Sequence, residues 1–216
     1  MPFYTYLNLI FELLAIITGT YFLKQIRNRF LFLYVFVIIA FITESTQFIL
    51  YFFGITRNHW LTQIYFPLEF LFLALLYSKE LVGIVQRKWM KVIIIVFMVY
   101  SVLNPIFIQK FTQYSQVRSF TCIFLVVFSI LYYYRVMTEA KVKKLVDEPM
   151  IWVNSAVLIY FSGLLFYNIL FSFILEYSME FAREATFFFN ILNYTFYSLI
   201  AVGFWKAGKQ NKEVPS

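Results

Sequence analysis

Residues 30–53 read FLFLYVFVIIAFITESTQFILYFF. The run is longer than the roughly 20 apolar residues that a helix needs to cross the hydrocarbon core of a bilayer. Apolar and polar residues do not alternate along this run, whereas they do alternate along the strands of a membrane barrel. An uninterrupted polar sequence, residues 43–47, lies inside this run. The stretch therefore predicts a membrane helix with a polar element in its middle.

Six further runs of similar character occupy most of the chain. Of the 216 residues, 62% are hydrophobic and 13% are charged, whereas soluble domains are roughly 45–50% apolar and about 25% charged. We predict an all-α, polytopic membrane protein: one domain over residues 1–207, a bundle of seven transmembrane helices, followed by a short flexible cytoplasmic tail at 208–216. The predicted spans are 5–24, 30–53, 60–78, 90–108, 117–136, 150–175 and 184–205.

The lysines and arginines predict the orientation. Most of the 18 lie in or next to the connections after spans 1, 3 and 5 and in the C-terminal tail, and the other side holds only Arg57, Lys110, Arg118 and Arg183. Basic residues accumulate on the cytoplasmic side of membrane proteins. We therefore expect the N-terminus outside and the C-terminus inside, in the inner (plasma) membrane.

Several functions are disfavoured by what the sequence contains. The basic residues lie between apolar runs, so lipid headgroups explain the net charge of +7 better than a nucleic-acid partner does. The single cysteine, Cys122, cannot form an intramolecular disulfide. No phosphate-binding loop and no Ser/His/Asp set is present. We predict no cofactor and assign no catalytic residue, although a mechanism that uses carboxylates alone stays open, as does a metal ion.

Three glutamates are the candidate functional residues, because ionisable groups are costly to place inside a membrane. Glu12, Glu44 and Glu69 lie well inside spans 1, 2 and 3. At 1.5 Å per residue, all three fall roughly 10–14 Å from the outer boundary. We expect them to form one layer, provided that the helices that carry them face one another.

Amides and a tyrosine are expected at a similar depth and on the same helix faces. The spacings of three and four residues place Gln47 beside Glu44, Tyr65 beside Glu69, and Asn190 beside Asn193. Asn168 in span 6 lies at a comparable depth. The predicted ligand- or proton-binding set is Glu12, Glu44, Glu69, Gln47, Tyr65, Asn168, Asn190 and Asn193. His59 and Trp60 are expected at the mouth of the pocket, although Trp60 also suits an interfacial anchor.

The chemistry of this layer favours a positively charged occupant. We expect no lysine or arginine at the depth of the glutamates, so burial and mutual repulsion leave them to stay neutral, share protons or bind a cation. The alternative is that protonated carboxyls and amides only join helices by hydrogen bonds. For the polar residues of span 6, including Asn154 and Gly163, helix packing is the preferred interpretation.

Two segments carry a resemblance to a known group of proteins. HWLTQIYFPLE at 59–69 and WVNSAVLIYFSG at 152–163 resemble parts of uncharacterised bacterial inner-membrane proteins with seven transmembrane helices. The resemblance implies the same topology and brings no activity with it.

Three functions follow as hypotheses. The first is a receptor-like or sensory module that binds a small cationic ligand from outside and acts on a membrane or cytoplasmic protein partner. The second is a small transporter coupled to protons or cations, with Glu44 and Glu69 as its titrating pair. The third is a structural subunit of a membrane complex.

Overall fold

The computed structural model describes residues 2–55, 59–104, 107, 116–139, 144–177 and 179–210. Over these residues the protein has seven α-helices, one short 3₁₀ helix and no strand, which confirms the predicted all-α class. The helices are α1 Pro2–Tyr21, α2 Leu23–Phe52, α3 His59–Glu80, α4 Arg87–Leu103, α5 Gln116–Glu139, α6 Pro149–Tyr177 and α7 Met179–Gln210.

Five of the helices contain segments long and apolar enough to cross a membrane. These segments are Leu23–Phe52, Trp60–Glu80, Gln116–Glu139, Pro149–Asn168 and Thr186–Gln210. The structure is accordingly that of a multi-pass, membrane-type helical bundle. Its surface agrees with this, because large apolar side chains such as Ile95, Val96 and Phe166 are more than half exposed.

Several helix bounds differ from the sequence prediction. The connection expected between the first two spans is helical, because α2 begins at Leu23 and so includes Arg27 and Arg29. Arginine and lysine favour helices, so charge alone does not end one. At the other end of the chain, α7 continues to Gln210, beyond the predicted start of the tail at 208, and residues 211–216 lie outside the described part. Helix α6 begins at Pro149, one residue before the predicted start of span 6, and proline suits the first turn of a helix.

Six of the helices form a closed ring. Going round it, α1 packs against α2, α2 against α3, α3 against α5, α5 against α6, α6 against α7, and α7 against α1, while α4 packs against the outside of α3. Helices α1 and α5 therefore lie on opposite sides of the ring. This order places the faces predicted from α1, α2, α3, α6 and α7 around one interior.

Ion pairs join the helices at one end of the bundle, here called the basic end. Arg29 of α2 contacts Glu80 of α3 at 2.6 Å and Glu148, just before α6, at 2.7 Å. Arg135 of α5 donates to the main-chain carbonyl oxygen of Glu80. Lys206 of α7 lies 3.0 Å from a carboxylate oxygen of Asp147. These contacts fix the positions of the helices that carry them relative to one another along the bundle axis.

The half of the bundle next to the basic end is filled by aromatic and aliphatic side chains. The largest fully buried ones include Phe30, Phe36, Phe70, Phe161, Phe196 and Phe204. The rings of Phe36 and Phe196 meet edge to face with 6.1 Å between centroids, so α2 and α7 contact each other directly here. This half is a packed core, and the polar cavity lies in the other half.

Asn154 joins three helices within the core. Its side-chain oxygen accepts a hydrogen bond of 2.6 Å from Tyr77 of α3, and its amide nitrogen donates to the carbonyl oxygen of Ser129 in α5 at 3.2 Å. The hydroxyl of Ser129 donates back to the carbonyl oxygen of Asn154 at 3.1 Å. All of these groups are buried, so the contacts agree with the packing role predicted for Asn154.

Helices α6 and α7 approach closely because glycines lie at their interface. A Cβ atom on Gly203 would lie 2.7 Å from Cγ2 of Val153, and one on Gly163 would lie 2.5 Å from Cδ1 of Leu192. Small residues allow membrane helices to come this close. The two glycines therefore set the separation of α6 and α7.

Candidate functional site: a polar cavity in the ring of helices

A cavity of about 750 Å³ lies in the half of the bundle away from the basic end. Its lining comes from the first turns of α1, α3 and α5, the later turns of α2 and α6, and the first half of α7. These segments lie at the same end because consecutive helices run in opposite directions. This end is called the pocket end below.

The wall formed by α1 and α2 is acidic. Glu12 and Glu44 line the cavity, and their carboxyls are close enough to interact. Glu12 is 1% exposed, and its Oε2 atom has no hydrogen-bond partner within the described part of the chain. Two negative charges buried side by side without a cation are costly. The pair is therefore suited to a proton or to a positively charged ligand.

Amide groups surround this pair. Asn8, one turn before Glu12, donates to Oδ1 of Asn190 at 3.4 Å, while its own Oδ1 is buried without a partner in the described residues. Gln47, Asn168 and Asn193 also line the cavity. Asn190 is held by a hydrogen bond of 2.8 Å from its amide nitrogen to the carbonyl oxygen of Thr186. Seven of the eight residues predicted to bind a ligand or proton thus surround one space.

Glu69, the eighth, lies behind the wall rather than in it. The hydroxyl of Tyr65, which lines the cavity, donates to Oε1 of Glu69 at 3.4 Å. The hydroxyl of Tyr197 lies within hydrogen-bonding reach of both Tyr65 and Glu12. Glu12, Tyr197, Tyr65 and Glu69 therefore form a continuous polar chain from α1 through α7 to α3.

The expectation that no cationic side chain lies at the depth of the glutamates is wrong. Arg118 of α5 is 8% exposed and forms an ion pair with Glu69, which is 1% exposed. Its guanidinium group also donates to the hydroxyl of Tyr160 at 3.2 Å and lies over the ring of Phe66, 4.7 Å from the centroid. Glu69 is consequently neutralised by a permanent partner, unlike Glu12 and Glu44.

Helix register explains the error. Glu80 and Arg135 meet at the basic end, and counted from there Arg118 lies about six residues, or roughly 9 Å, further toward the pocket end than Glu69. The apolar stem of an arginine side chain covers much of such a distance. A signal was present in the sequence, because Arg118 shares the helical face of Thr121, Leu125 and Ser129, all of which are buried. That spacing indicates an arginine that points inward.

Of the two residues predicted at the pocket mouth, Trp60 is not part of the cavity lining that the structure describes. Trp60 is half-exposed and suits the interfacial alternative. His59 begins α3, but its side chain lies outside the described residues. Tyr160 and Tyr197 also line the cavity and were not among the predicted site residues, although Tyr197 lies one turn after Asn193 on the same helix face.

The donor set is better suited to an ammonium group than to a metal ion. No cluster of three or more His, Cys, Asp or Glu side chains occurs in the segments that the structure describes. Calcium takes six to eight oxygen ligands, usually with several carboxylates. Two carboxyls with neighbouring amide oxygens match the three donors of an ammonium group.

Comparison with known proteins adds no assignment. No protein-family model, curated protein or solved structure matches this chain. The function is therefore argued from the cavity.

Proposed function

We propose that the protein is a receptor-like or sensory module of the inner (plasma) membrane that binds a small organic cation in this cavity. In this proposal all seven helices cross the membrane, the N-terminus lies outside, and the ligand enters from the outer face. The distribution of lysine and arginine supports the orientation, and the five long apolar helices support the membrane location.

The observation that carries the proposal is the pair of buried acceptors on α1. Oε2 of Glu12 and Oδ1 of Asn8 lack partners within the described residues, and both side chains line the cavity. An unpaired buried acceptor costs about 1–3 kcal/mol, which a ligand that donates hydrogen bonds would recover. Glu44 supplies a second carboxyl to the same group.

The cavity also has room for the organic part of a ligand that carries the ammonium group. Pockets for small molecules are typically about 300–1,000 Å³ and largely apolar, and this one measures about 750 Å³. Aromatic side chains such as Phe48, Tyr51, Tyr167 and Phe189 contribute to its lining. Such rings attract ammonium groups through their negative faces. A bare ion would use only a small part of this volume.

The output of such a module would pass to another protein. The ion pairs at the basic end connect α2, α3 and α7 to the segment before α6. A change in helix spacing at the pocket would be transmitted along the packed core to these contacts. A membrane or cytoplasmic partner that contacts the basic end would receive that change.

The first test is thermal stability of the purified protein in detergent across a panel of primary amines, alkali cations and divalent cations. We expect amines to raise the melting temperature of the natural protein and to have no effect on Glu12→Gln or Glu44→Gln. Glu184→Gln is the matched control, because Glu184 is exposed on α7 and does not line the cavity. Amine binding that survives both pocket substitutions would contradict the proposal.

A transporter coupled to protons or cations is the second candidate. The polar chain Glu12–Tyr197–Tyr65–Glu69 favours it, because hydrogen-bonded hydroxyls and carboxyls relay protons in membrane transporters. The pairing of Glu69 with Arg118 makes Glu12 and Glu44 the better titrating pair. Proteoliposomes separate the two functions: ligand-dependent flux that Glu44→Gln abolishes would support transport, and binding without flux would support the receptor.

The third hypothesis, a structural subunit, predicts a different pattern. Substitutions of Glu12 and Glu44 would then alter association with a partner chain, and no added cation would stabilise the purified protein.

A further inference from the structure

The cavity has a second polar wall opposite the acidic one. Arg118 lines it from α5, and α5 lies across the ring of helices from α1, which carries Glu12. The side-chain nitrogen Nδ2 of Asn168, on α6, is buried without a hydrogen-bond partner among the described residues. Unsatisfied acceptors therefore face the cavity from α1, and donors face it from α5 and α6.

The guanidinium group of Arg118 is held in one orientation and keeps donors to spare. Glu69 and Tyr160 take one contact each, and the ring of Phe66 packs on its face. A guanidinium group has five N–H donors in a fixed plane, a geometry that matches carboxylates. Glu69 cancels the charge of Arg118 without using up its donors, so the guanidinium group can donate to a carboxylate oxygen of a ligand and still remain paired with Glu69.

The two walls are separated by the width of the cavity. Glu12 and Arg118 belong to α1 and α5, which lie on opposite sides of the ring. The polar chain connects them only through three intervening side chains, those of Tyr197, Tyr65 and Glu69. A ligand that contacts both walls therefore needs its two charged groups at opposite ends of its body.

We propose that the ligand is an extended zwitterion, with an ammonium group at Glu12 and Glu44 and a carboxylate at Arg118 and Asn168. Linear ω-amino acids and short peptides have this chemistry. α-Amino acids do not, because their two charges are too close together to reach both walls. The inference rests on the proposed cation site and adds the second recognition element and the ligand length.

The test compares three molecules of equal chain length by isothermal titration calorimetry. ε-Aminocaproate carries both charged groups, hexylamine carries only the ammonium, and caproate carries only the carboxylate. A charge-assisted hydrogen bond at Arg118 should make ε-aminocaproate bind roughly tenfold or more tightly than hexylamine. Caproate and glycine should bind far more weakly.

Two variants separate the walls. The double substitution Glu69→Gln with Arg118→Gln removes the charged pair of the second wall without leaving an unpaired charge. The double variant should bind ε-aminocaproate no more tightly than it binds hexylamine. Glu12→Gln should lower the affinity of the protein for both molecules. The comparison of ε-aminocaproate with hexylamine on the natural protein is informative even if the double variant does not fold.

The outcomes distinguish this inference from the proposed function. Equal binding of hexylamine and ε-aminocaproate would overturn the zwitterion and leave the cation site standing. Failure of all the amines to bind would overturn both. Caproate binding as tightly as ε-aminocaproate, with no effect of Glu12→Gln, would also overturn both, because the acidic wall would then play no part.

Discussion

Removal of the carboxylate of Glu69 is expected to destabilise the bundle more than removal of any carboxylate at the basic end. Glu69→Gln leaves the guanidinium group of Arg118 buried without its counter-charge, and arginine does not lose its proton in proteins. Arg118 is 8% exposed, so water cannot compensate. Breaking a buried ion pair in this way costs about 3–5 kcal/mol.

A double-mutant cycle on Glu69 and Arg118 measures the interaction free energy between the two side chains. Arg118→Gln should cost less than Glu69→Gln, because the remaining carboxyl can take up a proton. Glu69→Gln combined with Arg118→Gln should recover most of the loss, since two amides can hydrogen-bond to each other where the ion pair was. The free energy of unfolding, measured by titration from mild detergent into sodium dodecyl sulfate, provides all four values.

One result would refute this reasoning. A loss below about 1 kcal/mol for Glu69→Gln is what an exposed pair gives. That value would mean that Arg118 points to water or headgroups, as its predicted position at the outer end of span 5 implied.

Three further predictions concern the packed half and the basic end. Asn154→Leu should cost about 2–4 kcal/mol in the same unfolding assay, because it leaves the buried hydroxyl of Tyr77 on α3 and the carbonyl oxygen of Ser129 on α5 without their partner. Gly203→Val should lower the melting temperature clearly, since even a Cβ atom there would lie 2.7 Å from Val153, and Gly203→Ala should have a smaller effect. Lys206→Ala should change the free energy of unfolding by no more than about 1 kcal/mol, because its partner Asp147 is largely exposed. A large loss in the last case would show that the basic end is more tightly packed than these contacts indicate.

The helices and the polar layer could be predicted from the sequence because both depend on short-range patterns. Long apolar runs indicate membrane helices, and a spacing of three residues places Glu44 with Gln47 and Asn190 with Asn193 on single faces. The structure brings these faces together around the cavity.

The pairing of Glu69 with Arg118 could not be predicted from short-range sequence patterns. The two residues are far apart in the chain, and their contact depends on how far α5 is shifted along its axis relative to α3. That shift is set by contacts at the basic end, such as Arg135 with Glu80, which are themselves long-range. The helical continuation through Arg27 and Arg29 was missed for a different reason: charge marks the edge of the apolar segment, but it does not end a helix.

The most direct test of the account is the affinity of hexylamine for the natural protein and for Glu12→Gln, with Glu184→Gln as the control. The account predicts saturable binding to the natural protein and to the control, and a loss of at least roughly tenfold in Glu12→Gln, which corresponds to about 1.4 kcal/mol. Equal affinity in all three proteins would mean that the amine binds elsewhere, and the cavity would then not be a cation site.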